Sequence, residues 1–166
     1  MKSLAVMVFI LAMLGGCDVS FNNNNNNNTP NVTATDPGTP QQQQRVFDTA
    51  VGFLGLLDAG TAEMTWPAVS PVLQAKTSKL MWASSLKGLR LGLGSFQRRE
   101  PVAIGFIDQL PDAPAGNYAV IEFASIFSTT SVQEKVIMRD DDKHWGIVGY
   151  FVHKSIVFGE GTKKSP

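Results

Sequence analysis

Residues 132–153, VQEKVIMRDDDKHWGIVGYFVH, decide the fold. Two arms rich in β-branched and aromatic residues flank a polar tip, Asp140-Asp141-Asp142-Lys143. That pattern predicts a β-hairpin with arms 132–139 and 144–153. Side chains on a strand alternate between faces. Val132, Glu134, Val136 and Met138 therefore share one face, and Glu134 is a carboxylate among apolar neighbours. On the second arm, alternation groups Trp145, Ile147, Phe151 and His153.

Working outward, residues 95–107 read as a strand interrupted at Pro101, which requires an edge position or a bulge there. A loop with two prolines (108–116), a strand (117–127) and a turn (128–131) lead into the hairpin. The N-terminal half is helical. Over 42–59, Phe47, Ala50, Val51, Leu54 and Leu57 recur at spacings of three and four. Gly52 and Gly55 interrupt that stripe, and close packing against the sheet accounts for them. Gly60 suits the position just past a helix. Thr61 is placed to cap a short helix with Glu63 in its first turn, and Ser70-Pro71 is a second cap signature. Residues 78–91 carry a line of Trp82, Leu86, Leu89 and Leu93. A Trp on such a line reads as core rather than as a binding platform. Helices first and strands after predict an α+β domain over 45–154, with helices packed on a four-stranded antiparallel sheet.

The chain has 166 residues, 14 basic and 14 acidic, so no global charge favours nucleic acid. Cys17 is its only cysteine, which excludes an internal disulfide and a cysteine-based zinc site. Residues 1–17 read MKSLAVMVFILAMLGGC. Eleven apolar residues, Leu4 to Leu14, follow Lys2. The run is too short to span about 30 Å of hydrocarbon as a helix, but it suits the apolar region of a signal peptide. Leu14-Gly15-Gly16-Cys17 resembles the bacterial lipobox, in which small residues admit a peptidase and the thiol is acylated. The expectation is a signal peptide over 1–16 and a lipidated N-terminus at Cys17. Asp18 resembles the signal for retention in the inner membrane. Residues 17–44, with seven Asn (22–28), a Thr/Pro stretch and four Gln (41–44), read as a disordered linker. Residues 155–166 read as a tail whose Ile156-Val157-Phe158 is able to dock.

Leu57-Asp58-Ala59-Gly60, Trp66, Pro71, Trp82, Leu93-Gly94 and Arg98-Arg99 occur in order. Leu110-Pro111, Pro114, Gly116, Tyr118, Phe123, Phe127, Glu134, Trp145 and Gly149-Tyr150 follow. Over roughly 46–152 this ordered set resembles the bacterial "domain of unknown function 4019" family. The resemblance implies a nuclear-transport-factor-2-like or cystatin-like fold, with helices in a curved sheet around a cone-shaped cavity. It implies no activity and no catalytic residues.

A buried carboxylate needs a partner or a proton, and Arg98 or Arg99 is the candidate partner of Glu134. Tyr118 and Tyr150 complete the set of candidate cavity or polar-anchor residues. His144 and His153 lack the spacing of a helical metal motif. No cofactor or metal motif is present, no Ser sits in a nucleophile elbow, and the Asp run lacks the alternation of a calcium loop. Three readings follow. The favoured one is a lipid-anchored envelope module that binds a small apolar ligand or a protein. The second is a small cavity enzyme moving protons, as isomerases and dehydratases of related folds do. The third is a module that dimerises through its sheet.

Overall fold

The computed structural model describes residues 34–154. Cys17, the signal and lipobox residues and the 155–166 tail lie outside them. Helices precede a four-stranded antiparallel sheet of order β1-β2-β3-β4, an up-and-down meander. The strands are β1 (Phe96–Ile107), β2 (Tyr118–Phe127), β3 (Ser131–Asp141) and β4 (His144–Lys154). The α+β expectation holds at this level. Among the described residues no helix is long and apolar enough to cross a membrane.

The first helix, α1 (Pro40–Asp58), starts two residues before its expected beginning. Its N-terminus is a capping box. The Thr39 hydroxyl accepts from Gln42 N (3.2 Å), and Gln42 Oε1 accepts from Thr39 N (2.8 Å). Pro40 takes the first helical position, where its missing N–H leaves nothing unpaired. The Gln run assigned to the linker is therefore the first turn of α1. Val46, Ala50, Phe53, Leu54 and Leu57 are buried, whereas Val51 is 42% exposed. Phe47 is half-buried against the Phe123 ring, 6.2 Å between centroids. Gly52 and Gly55 do not serve close packing, since a Cβ at either would meet nothing within 4 Å. Each costs about 1 kcal/mol of helix propensity relative to Ala.

After Gly60 (φ +74°) the chain enters a 3₁₀ helix (Ala62–Ala68). Thr61 does not cap it; its hydroxyl donates back to the Leu56 carbonyl at 2.9 Å. Ser70 does cap the short α2 (Pro71–Gln74), and Ser78 caps α3 (Lys79–Leu91). Trp82 is buried, rests near the Phe53 ring and donates from Nε1 to the Thr65 hydroxyl at 2.9 Å.

The sheet side facing α1 and α3 carries Ala119, Ile121 and Phe123 of β2, Val136 and Met138 of β3, and Ile147 and Tyr150 of β4. These interleave with the helix side chains as one core. Both sheet edges are partly covered. Residues 35–36 bridge β1 at Phe106, and Val69 bridges β4 at Ile147. The first bridge is close. Thr35 N and Asp36 N donate to the Phe106 carbonyl at 3.1 Å each, and Phe106 N donates to Asp36 O at 2.7 Å.

Bulges reset the strand faces. β1 slips between Phe96 and Arg98 and again between Pro101 and Ala103, as its edge proline requires. On β4, Gly149 pairs with Ile137 but Ile147 pairs with Met138, so Val148 is an extra residue. The bulge inverts the alternation beyond it. Tyr150 and Val152 join Trp145 and Ile147 on the inner face, while Phe151 and His153 turn outward, contrary to the strict alternation expected. The hairpin tip is also tighter than the four polar residues imply. Asp141 still pairs with His144, and only Asp142 and Lys143 turn, both at positive φ (54° and 69°).

Candidate functional site

Glu134 projects from β3 toward the helices and is fully buried. Its neighbours follow from four elements. Arg99 on β1 pairs in register with Ser125 on β2, and β3 lies next to β2, so both side chains share the inner face with Glu134. Arg90 descends from the last turn of α3, and Asp58 ends α1. Tyr150 rises from β4 beyond the bulge.

Every oxygen of the Glu134 carboxylate is engaged twice. Oε1 accepts from Arg90 Nη1 at 2.8 Å and from the Tyr150 hydroxyl. Oε2 accepts from Arg99 Nε at 2.7 Å and from the Ser125 hydroxyl. Asp58 closes the other side. It accepts from Arg99 Nη1 at 2.8 Å and Nη2 at 3.1 Å, and from Arg90 Nη2. Two guanidiniums and two carboxylates balance in charge. Aromatic rings wall the cluster: Arg90 lies over Phe127 at 4.8 Å, and Arg99 over Phe96 at 4.5 Å, to the ring centroids.

Burial alone would lower the Arg99 pKa, but hydrogen bonds to Asp58 and Glu134 outweigh it and raise the value above the ordinary one. Burial, and then the negative charge of Glu134, push the Tyr150 hydroxyl well above its ordinary value. The folded state thus holds that proton more tightly than the unfolded state. Stability is unaffected below pH about 10, the unfolded tyrosine value. Above it, stability falls by about 1.4 kcal/mol per pH unit until the folded pKa is passed. Tyr150→Phe is expected to lose about 1.5–3 kcal/mol at pH 7, the range for a hydrogen bond to a charged group. The gap from wild type should then close as pH rises beyond 10. Urea unfolding of both proteins between pH 7 and 11 reads this directly.

Of the residues singled out in the sequence, Glu134, Arg99 and Tyr150 meet in this cluster. Arg98 does not. The β1 bulge turns it outward, where it lies 3.8 Å from exposed Glu100. Tyr118 stands on the opposite face of the sheet and donates its hydroxyl to the Pro114 carbonyl at 2.5 Å. Arg90, Asp58 and Ser125 were not singled out as partners, yet each occupies a position its element marks as buried. Asp58 continues the line Val46, Ala50, Leu54 at spacing four, and Arg90 continues Trp82, Leu86 in the same way. Ser125 alternates with Phe123 and Phe127.

The outer face carries a second, smaller apolar cluster of Leu110, Tyr118, Val120 and Ile137. Between it and the segment around α2 lies a cleft of about 180 Å³. Val72, Leu73, Leu110, Ile137, Val148 and Phe151 form its apolar walls, and Lys76 and Asp112 are its charged lining residues. Elsewhere on this face Lys135 Nζ lies 2.9 Å from the Glu122 carboxylate.

No curated protein and no solved structure matches the chain. A family model described as "Protein of unknown function (DUF4019)" matches residues 49–150, which takes in Asp58, Arg90, Arg99, Ser125, Glu134 and Tyr150. The ion cluster therefore lies wholly within the matched region, and the chain belongs to the DUF4019 family.

Proposed function

We propose that this protein is a lipid-anchored module of the bacterial cell envelope that binds a small ligand or a protein partner. The observation that carries the anchor is Leu14-Gly15-Gly16-Cys17 directly after an apolar run of signal-peptide length. Acylation at Cys17 would hold the chain at a membrane, with the domain in the periplasm or outside the cell, and Asp18 favours the inner membrane. Two acyl chains suffice for stable anchoring. The helix lying against a four-stranded antiparallel meander supports a nuclear-transport-factor-2-like or cystatin-like fold.

The binding reading rests on the outer cleft rather than on the inner face. The inner face is filled by α1, and the polar residues there are consumed by one another. Glu134 has no free lone pair, and the Tyr150 proton is held. A proton-moving enzyme built on Glu134 and Tyr150 would need one of them unpaired, so the cluster favours a structural lock.

Mass spectrometry of the protein extracted from bacterial membranes tests the anchor. The expected product begins at Cys17 and carries diacylglyceryl and acyl masses, and Cys17→Ser leaves an unacylated chain. An unmodified Cys17 in membrane-extracted protein would overturn the anchor.

A further inference from the structure

The helix α3 is apolar on both sides. Its inner side, with Trp82, Ala83 and Leu86, is buried in the core. A helix that only covers a sheet carries polar residues on its other side. Here that side holds Leu80, Ser84, Lys87 and Leu91 in one line at helical spacing, flanked by Met81 and Gly88. Leu80 is 75% exposed, Met81 61% and Leu91 87%. Met64, 60% exposed, sits on the adjoining 3₁₀ helix beside Glu63, whose carboxylate lies 2.9 Å from Lys87 Nζ. Scattered exposed apolar side chains are ordinary. These four, of seven large ones among the described residues, gather on one helix and its neighbour, so the face calls for a cover.

Charge identifies that cover. From residue 64 to residue 99 the chain has six basic residues and no acid, although the whole chain is balanced. Arg90 and Arg99 are spent on Asp58 and Glu134. Lys79 and Lys87 remain on α3. Glu63 is the acid beside them; Lys87 pairs with it, and the charge of Lys79 also acts on it. Two cations against one anion leave this face positive. Large apolar side chains beside lysines, on a helix without acids, suit the interface of an anionic bilayer. Leu80 and Leu91 stand about 16 Å apart along the helix axis, so both reach such a surface when α3 lies parallel to it. The chain from Cys17 to residue 34 spans at most about 60 Å, which would keep an acylated protein beside its membrane. We propose that the outer face of α3 docks in the plane of an anionic lipid surface. Leu80, Met81 and Leu91 enter the acyl boundary, and Lys79 and Lys87 meet the phosphates. This assignment rests on the anchor reading, which brings the chain to a bilayer, and it adds the surface that meets it.

The test uses the chain from residue 18 onward, which carries no acyl group and, Cys17 being the only cysteine, no thiol. The core residues described lie between Val46 and Val152, so this chain keeps the whole core. It should float with vesicles of equal parts dioleoyl phosphatidylglycerol and dioleoyl phosphatidylcholine, and about tenfold less with phosphatidylcholine alone. Lys79→Gln should weaken binding to the anionic vesicles about fivefold, the contribution of one basic residue near such a surface. Leu80→Ser with Leu91→Ser should weaken it more than about tenfold, whereas Val102→Ser, an exposed apolar position on β1, should leave it unchanged. A polarity-sensitive fluorophore on Ser84→Cys should shift to the blue on anionic vesicles, and one on Val102→Cys should not. No flotation, equal flotation with both vesicles, or an equal loss with Val102→Ser overturns the assignment. So does a dimer in sedimentation that the paired Leu changes disperse, since a second copy would then cover α3. Acylation plays no part in these measurements. Acylated Cys17 with no flotation removes this face and keeps the anchor; unmodified Cys17 with flotation intact does the reverse.

Discussion

Glu134→Ala is expected to destabilise the domain by about 3–5 kcal/mol, the usual loss when one partner of a buried ion pair is removed. The reason lies in what remains. Arg90 and Arg99 stay behind with side chains only 12% and 9% exposed, facing each other across a single remaining carboxylate, Asp58. The hydroxyls of Tyr150 and Ser125 also lose their acceptor. Glu134→Gln keeps the volume and removes the charge, so it separates electrostatics from cavity formation. Its loss should be close to that of the Ala variant. Truncating both ends of the pair gives a sharper reading. Glu134→Gln with Arg99→Met should be less destabilised than the sum of the single changes, because neither charge is left stranded. Urea unfolding of the four proteins in the cycle measures the coupling. A purely additive result would mean that the cluster is not the lock described above.

Trp82→Ala is expected to cost about 3–5 kcal/mol, as large-to-small changes of buried aromatics do. Trp82 is 3% exposed, lies against Phe53 and ties α3 to the 3₁₀ helix through Thr65. Trp82→Phe retains most of the packing and loses the indole donor. Thr65 still donates to the Ala62 carbonyl, so the Phe variant should lose only about 1–2 kcal/mol. Thermal unfolding of the two variants distinguishes a core residue from a surface platform. On a platform, neither change would shift the midpoint appreciably.

Local pattern revealed the element order because strand alternation and helix periodicity both arise from burying one face. Glu134 was legible for the same reason, as a charge on an apolar line. Asp58 and Arg90 were equally legible in principle, since each is the next fourth residue on a buried helical line. They escape notice because a charge at a helix end reads naturally as the place where the line stops. Choosing Arg99 over Arg98 was beyond sequence, since it depends on an irregularity between Phe96 and Arg98 that no residue type announces. The same holds for Val148. An ordinary Val is the extra residue, and only the neighbouring Gly149 hints that alternation fails there. The start of α1 shows the opposite error. Thr39-Pro40 with Gln42 is a complete cap signature, but it is embedded in a polar run whose composition suggested a linker.

The short bridge between residues 35–36 and Phe106 bears on how this domain would carry mechanical load. A pull transmitted from upstream of residue 34 does not act first on α1 or on the core. It reaches the fold at the β1 edge, through three backbone hydrogen bonds to one residue and the seat of Gly38 on the Phe106 ring. That contact can peel away while Thr39 still caps α1 and the ion cluster remains closed. A load on the N-terminal segment would therefore meet this bridge at the margin of the sheet before it reached the Thr39 cap or the interior.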